Sequence, residues 1–156
     1  MADFTDAQYF LNRECTWVKF NERVLREAIV PSNPLLEQLN FIAIASSNLD
    51  EFFMIRVAGV KHLVESGVRH IDIAGMTPAE QFDAIQSMVH ELVADQYRYY
   101  DGIQQKLQDH GIHFIGVDDL NEDQHMWLDE FFGREIYPVV TPMAVDSSHP
   151  SRSCPA

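Results

Sequence analysis

The chain has 156 residues, enough for one domain, or for one domain and the start of another. Hydrophobic residues make up 46% and aromatics 11%, which supports a packed core and argues against a disordered chain. With 11 basic against 24 acidic residues the net charge is −13, so the chain is a poor partner for nucleic acid, for other polyanions and for an anionic membrane surface.

The N-terminus, Met1-Ala2-Asp3-Phe4-Thr5-Asp6, is acidic and polar and does not read as a signal peptide. No apolar run approaches the roughly 20 residues of a membrane span, so membrane insertion is not expected and the cytoplasm is the expected location. Cys15 and Cys154 could pair by count alone, but nothing suggests a secreted scaffold, and free thiols are expected.

A first helix is predicted from about Arg13 to Val30, with Trp17, Phe20, Val24 and Ala28 spaced three and four apart, and Leu25 beside them, as its apolar stripe. Pro31-Ser32-Asn33-Pro34 ends it, Asn33 serving as the next N-cap with Pro34 in the first helical position. The second helix runs from about Pro34 to Ala45. A tight corner follows at Ser46-Ser47-Asn48, with Asn48 as N-cap and Glu51 in the capping-box position of a third helix from Leu49 to about Glu65. Aromatic surface crowds this corner on both sides, which a cap does not explain. Gly67 to Gly75 reads as a loop, where His70 and Asp72 suggest only solvation.

Thr77-Pro78-Ala79-Glu80 is the clearest helix start in the chain: a threonine cap, proline at the first position and a box glutamate. The fourth helix carries Phe82, Ile85, Val89, Leu92, Gln96, Tyr99, Ile103 and Leu107 on one stripe and stops at His110-Gly111. Ile112 to Val117 then has strand length, Asn121 caps a fifth helix that ends at Gly133, and Glu135 to Val145 is a second strand-like run weakened by two prolines. The expected fold class is mainly α: an elongated antiparallel helical bundle over residues 1–110, followed at 111–156 by an incomplete strand–helix–strand segment whose tail is disordered.

The chemistry of a self-contained active site is missing from the motifs. There is no GxxxxGK(S/T) or GxGxxG phosphate loop, no GxSxG elbow and no HExxH pair. His110 and His113 flank Gly111 without a cysteine or acid to complete a zinc set, and Asp118-Asp119 reads as a solvated turn. Arg56, Lys61 and Arg69 could form a small basic patch, or simply a solvated face. Tyr97, Tyr99 and Tyr100 read as core and rim.

Three stretches together resemble one family: Tyr9-Phe10-Leu11-Asn12-Arg13-Glu14 with Trp17, Phe20-Asn21 and Arg23-Val24-Leu25; Ser32-Asn33-Pro34-Leu35-Leu36-Glu37; and Phe41 through Val57. In order and spacing they look like the N-terminal region of the long, ATP-dependent polyphosphate kinase, and Glu135 to Asp146 with His149-Pro150 resembles the family's next segment. The resemblance implies a helical N-terminal domain followed by the beginning of a head domain that helps form homodimers. It implies reversible transfer of the ATP γ-phosphate to polyphosphate through a phosphohistidine, assisted by Mg2+, on C-terminal domains outside this chain. No catalytic residue and no metal ligand carries over. What does carry over is the asparagine of the Ser47-Asn48-Leu49-Asp50-Glu51-Phe52-Phe53 motif as an ATP-pocket residue, with Phe41 near the adenine. After Pro150 the family continues in an apolar-aromatic run, whereas this sequence reads Ser151-Arg152-Ser153-Cys154-Pro155-Ala156, which fits a truncated or frameshifted gene product or a piece cut from a longer chain, and the chain is expected to be inactive alone. A helical interaction module without a nucleotide role is the alternative.

Overall fold

In the computed structural model, residues 6–140 are described, and the chain divides into two units, Met1–His113 and Phe114–Ala156. In the first unit, α1 (Arg13–Arg26) begins at Asn12, whose Oδ1 accepts the Cys15 N–H at 2.9 Å, and passes into a 3-10 turn at Glu27–Ile29. The fully buried residues of this segment's inner face are Val18, Asn21, Leu25 and Ala28; of the expected stripe Ala28 and Leu25 are buried, Trp17 and Val24 pack half-buried against the core, and Phe20 faces out. Both series step by three and four. The one turned inward contains an asparagine, which a count of hydrophobic residues passes over.

The turn after α1 also differs from expectation. Asn33 donates from Nδ2 back to the Glu27 carbonyl at 2.8 Å, and Pro34 takes the cap position. Beyond it α2 (Leu35–Phe52), a π turn (Phe53–Val57) and α3 (Ala58–Glu65) follow without interruption. The expected corner at Ser46-Ser47-Asn48 does not form, and Asn48 caps nothing. Mid-helix asparagine is disfavoured when its amide competes for nearby backbone groups. Here the amide is engaged with a side chain of α1 instead, and the helix carries on.

The π turn keeps the core in register. Buried residues along this rod are Ile42, Ala45, Phe52, Val57 and Val60, with a step of five between Phe52 and Val57. The Ala58 N–H correspondingly bonds the Phe53 carbonyl, five residues back. In an uninterrupted α-helix Arg56 would follow Phe52 inward at the next turn. The one extra residue sends Val57 there and leaves Arg56 on the flank.

α4 (Pro78–Asp109) starts as its sequence says. The Thr77 N–H donates to Glu80 Oε2 at 2.7 Å and the Glu80 N–H to Thr77 Oγ1 at 3.3 Å, with Pro78 at the first position. Its 32 residues extend about 48 Å, and Ile85, Val89, Leu92, Ile103 and Leu107 of the predicted stripe are buried. Gly111, at φ +78°, ends it; the next N–H, that of Ile112, reaches the Leu107 carbonyl at 3.0 Å. The start of α4 lies beside the end of α3, around Val64 and Thr77, and its later turns at Gln96 and Tyr100 lie beside Leu39 and Ile42 of α2. α4 therefore runs antiparallel to the α2–α3 rod. So does α1, whose Glu14 sits near Arg56 and whose Asn21 sits near Ala45.

In the second unit α5 (Glu122–Phe131) is capped reciprocally by Asn121 and Gln124, both bonds at 2.9 Å, as predicted. Among the described residues no strand occurs, so the expected strand–helix–strand is not seen there. Ile112 to Gly116 leads into a 3-10 turn at Val117–Asp119. On the far side, α5 does not stop at Gly133 but continues as a π turn over Phe132–Ile136, where Tyr137 N–H bonds the Phe132 carbonyl at 2.8 Å. Glu135 and Ile136 are thereby consumed by helical bonding. Thr141 to Val145, His149, Pro150 and Cys154 lie outside the described residues.

Candidate functional site

Where α1 crosses α2 and the π turn, a cleft of about 340 Å³ opens, lined by Trp17, Phe20, Asn48, Glu51, Phe52, Ile55 and Arg56. Each wall follows from a departure described above. Because Asn21 rather than Phe20 faces the core, Phe20 is left 53% exposed on the rim. Because the π turn puts Val57 inward, Arg56 is free to flank the cleft. Phe52 is buried beneath and stacks on Trp17 with ring centroids 4.1 Å apart and planes 3° from parallel.

The polar part is a short relay. Asn21, fully buried at 0% exposure, donates from Nδ2 to the Ala45 carbonyl at 2.9 Å and accepts at Oδ1 from Asn48 Nδ2 at 3.1 Å. Asn48 is half-buried, so the rest of its amide is available to whatever enters the cleft. Beside it, the buried Glu14 carboxylate gathers two arginines on Oε1: Arg13, through Nε at 2.9 Å and Nη2 at 2.7 Å, and Arg56, through Nη1 at 3.4 Å. Arg56 is thus held by a carboxylate. Glu51 adds a carboxylate at the cleft, so its charges are mixed rather than strongly positive.

Of the two residues singled out in the sequence, Asn48 lines this cleft and Phe41 does not. Phe41 lies seven residues earlier on α2, half-buried and packed against the hydrophobic core. The aromatic faces at the cleft come instead from Trp17, Phe20 and Phe52. Asn21 was missed because it is polar. Its signal was a single asparagine at the helical repeat of the stripe Val18, Leu25 and Ala28.

Elsewhere, Asp72 is more than a solvated loop residue. Oδ1 accepts the Ala74 and Met76 N–H groups at 2.9 and 2.8 Å, and Oδ2 accepts from Asn12 Nδ2 at 2.7 Å. Burial pushes its pKa up, but these bonds outweigh it and hold the carboxyl below its usual value. Burial raises the Cys15 thiol, which fits a packed, protonated side chain. Among the described residues no three His, Cys, Asp or Glu side chains are grouped to hold a metal ion. No helix among them is long and apolar enough to cross a membrane.

Residues 10–115 match the family model described as "Polyphosphate kinase N-terminal domain". The chain is 45% identical over 149 residues to a polyphosphate kinase of Thermosynechococcus vestitus, covering 95% of this chain and 20% of that protein. It is 48% identical over 150 residues to a polyphosphate kinase of Halalkalibacterium halodurans (95% and 21%), and 44% identical over 150 residues to one of a Synechocystis species (96% and 21%). This chain therefore spans about a fifth of the length of each of these relatives. With the family model covering most of its helical bundle, the chain belongs to the polyphosphate kinase family, in which it carries the N-terminal domain.

Proposed function

We propose that this chain supplies one wall of the ATP pocket of a polyphosphate kinase, which transfers the ATP γ-phosphate to a growing polyphosphate chain through a phosphohistidine. The observation that carries the reading is the cleft at the α1–α2 crossing, where Asn48 offers a donor and an acceptor beside aromatic faces. A primary amide matches a purine edge, and an aromatic side chain offers a stacking surface to its plane. Asn48 is the contact to the base. Phe41 is assigned to the adenine by resemblance alone.

In this reading residues 1–110 are the helical N-terminal domain and residues 111–156 begin a head domain that supports a homo-oligomer in the cytoplasm. Polyphosphate, as a polyanion, is held elsewhere, since this segment carries a net charge of −13. Mg2+, implied by the family, finds no ligand cluster among the described residues, so no step is assigned to it on this chain. The segment by itself is expected to make no polyphosphate from ATP, and measurable turnover by the isolated chain would overturn this division of labour. In an enzyme carrying this segment, Asn48→Ala is expected to raise the ATP KM several-fold while kcat changes little, with Phe41→Ala tested alongside. An unchanged KM with lowered stability would make Asn48 a packing residue only.

The alternative, a helical interaction module without a nucleotide role, draws on the exposed apolar side chains of the second unit, among them Trp127 and Tyr137. Sedimentation separates the two: concentration-dependent association with no ATP-induced thermal shift favours the module.

A further inference from the structure

The polarity of the Asn21–Asn48 relay is fixed from one end. The Ala45 carbonyl can only accept, so the Asn21 atom 2.9 Å from it is the donating Nδ2. Asn21 has no exposure to solvent, so its other end, Oδ1, depends on a protein donor, which Asn48 Nδ2 supplies at 3.1 Å. Turning the Asn48 amide over would set its oxygen against the Asn21 oxygen, two acceptors facing each other with no water to separate them. Asn48 is therefore held in one orientation. It offers the cleft Oδ1 and the second N–H of Nδ2 in a fixed order.

We infer that Asn21 is a positioning residue that pins the Asn48 amide, and that the cleft thereby selects a 6-aminopurine nucleotide over a 6-oxopurine one. The inference rests on the nucleotide reading of the cleft given above. A 6-aminopurine presents an amino donor next to a ring-nitrogen acceptor, complementary to the pinned amide. Asparagine pairs with adenine through this donor–acceptor arrangement in other settings. A 6-oxopurine presents two acceptors on one edge, or the donor and acceptor in reverse order on the other. An amide free to rotate accommodates the reverse order by turning over, and so discriminates poorly. Asn21 removes that freedom without touching the ligand. The arrangement also accounts for a buried asparagine bonded to a carbonyl in the middle of a helix, where a leucine would have packed with no polar group to satisfy.

The test uses an enzyme carrying this segment, labelled with 15N on asparagine and tryptophan, following the Asn48 side-chain amide and the Trp17 indole by NMR as ATP or ITP is added. In the wild type without nucleotide, one Asn48 amide proton is expected to be protected from solvent exchange and the other to exchange freely. ATP is expected to shift both Asn48 and Trp17, with an apparent Kd about tenfold below that for ITP, the scale of one discriminating base contact. In Asn21→Leu the ATP:ITP ratio should fall towards one while both nucleotides still shift Trp17. Asn21→Asp, which as the neutral acid donates to Ala45 and accepts from Asn48 as asparagine does, should keep the preference. If neither nucleotide shifts Trp17 or Asn48 in the wild type, the nucleotide reading itself fails. If ATP binds but shows no preference over ITP, or the preference survives in Asn21→Leu, the positioning role alone fails. Should Asn21→Leu not fold, the wild-type exchange rates decide, because two freely exchanging Asn48 protons overturn the pinned amide.

Discussion

Two carboxylates in the first unit are tied to polar groups far away in sequence, and their energetics differ. Asp72 links its own loop to the start of α1 through Asn12, and its carboxyl titrates below the ordinary range when folded. A lowered folded pKa means the unfolded chain binds the proton more tightly. The stabilisation is therefore present above the unfolded value and is lost as pH falls through the folded one. Asp72→Asn should lower stability at neutral pH by about 1 kcal/mol, a charged hydrogen-bond contribution reduced by partial exposure. Chemical denaturation at a series of pH values should show the two proteins converging as the pH falls below the ordinary carboxyl range. Glu14, by contrast, is buried with Arg13 and Arg56 around it. Glu14→Ala leaves both arginines able to reach water, so its cost should be about 1–3 kcal/mol, below that of stranding a charge inside. A loss above about 4 kcal/mol in urea unfolding would mean Arg56 is more enclosed than its flank position implies.

At the level of elements, the π turn makes an unusual prediction about chain length. Met54, exposed within the turn, is the spare residue between Phe52 and Val57. Deleting it should convert the turn to ordinary α-helix, leave Val57 and Val60 in the core, and change stability by no more than about 1 kcal/mol. Deleting Ser47, where α2 has no residue to spare, should rotate everything beyond it by about 100° and pull Phe52 out of the core. Loss of a buried phenylalanine alone costs about 3–5 kcal/mol. Thermal unfolding of the two deletions, compared side by side, checks the assignment; equal destabilisation would contradict it. The same segment explains what the sequence concealed. The caps at Thr77 and Asn121 were legible because donor and acceptor lie three residues apart and need no distant partner. Ser46-Ser47-Asn48 looked like a break because the group that satisfies Asn48 stands 27 residues earlier. The cleft was half legible: Asn48 came from resemblance, whereas Phe20, Asn21 and Arg56 became visible only with the rotation of α1 and the extra residue of the π turn.

Across the whole molecule, every described residue that is buried belongs to the first unit, the last being Leu107. Phe114 to Val140 contains α5 and its turns but no buried side chain, and so contributes no core of its own. A chain ending at His113 should therefore unfold cooperatively within a few degrees of the intact chain's Tm, since stability follows the apolar area removed from water. A large drop in calorimetry would show that the second unit stabilises the first. The two tryptophans fall one to each unit, and their surroundings are opposite. Trp17 lies half-buried, flat against buried Phe52, whereas Trp127 is 63% exposed beside Phe131. Their emission should differ in colour, Trp17 towards the blue and Trp127 near the maximum of indole in water. Selective excitation at the red edge, or a Trp127→Phe variant, would then make the Trp17–Phe52 stack a built-in optical gauge of the cleft, readable at micromolar concentration without attaching a dye.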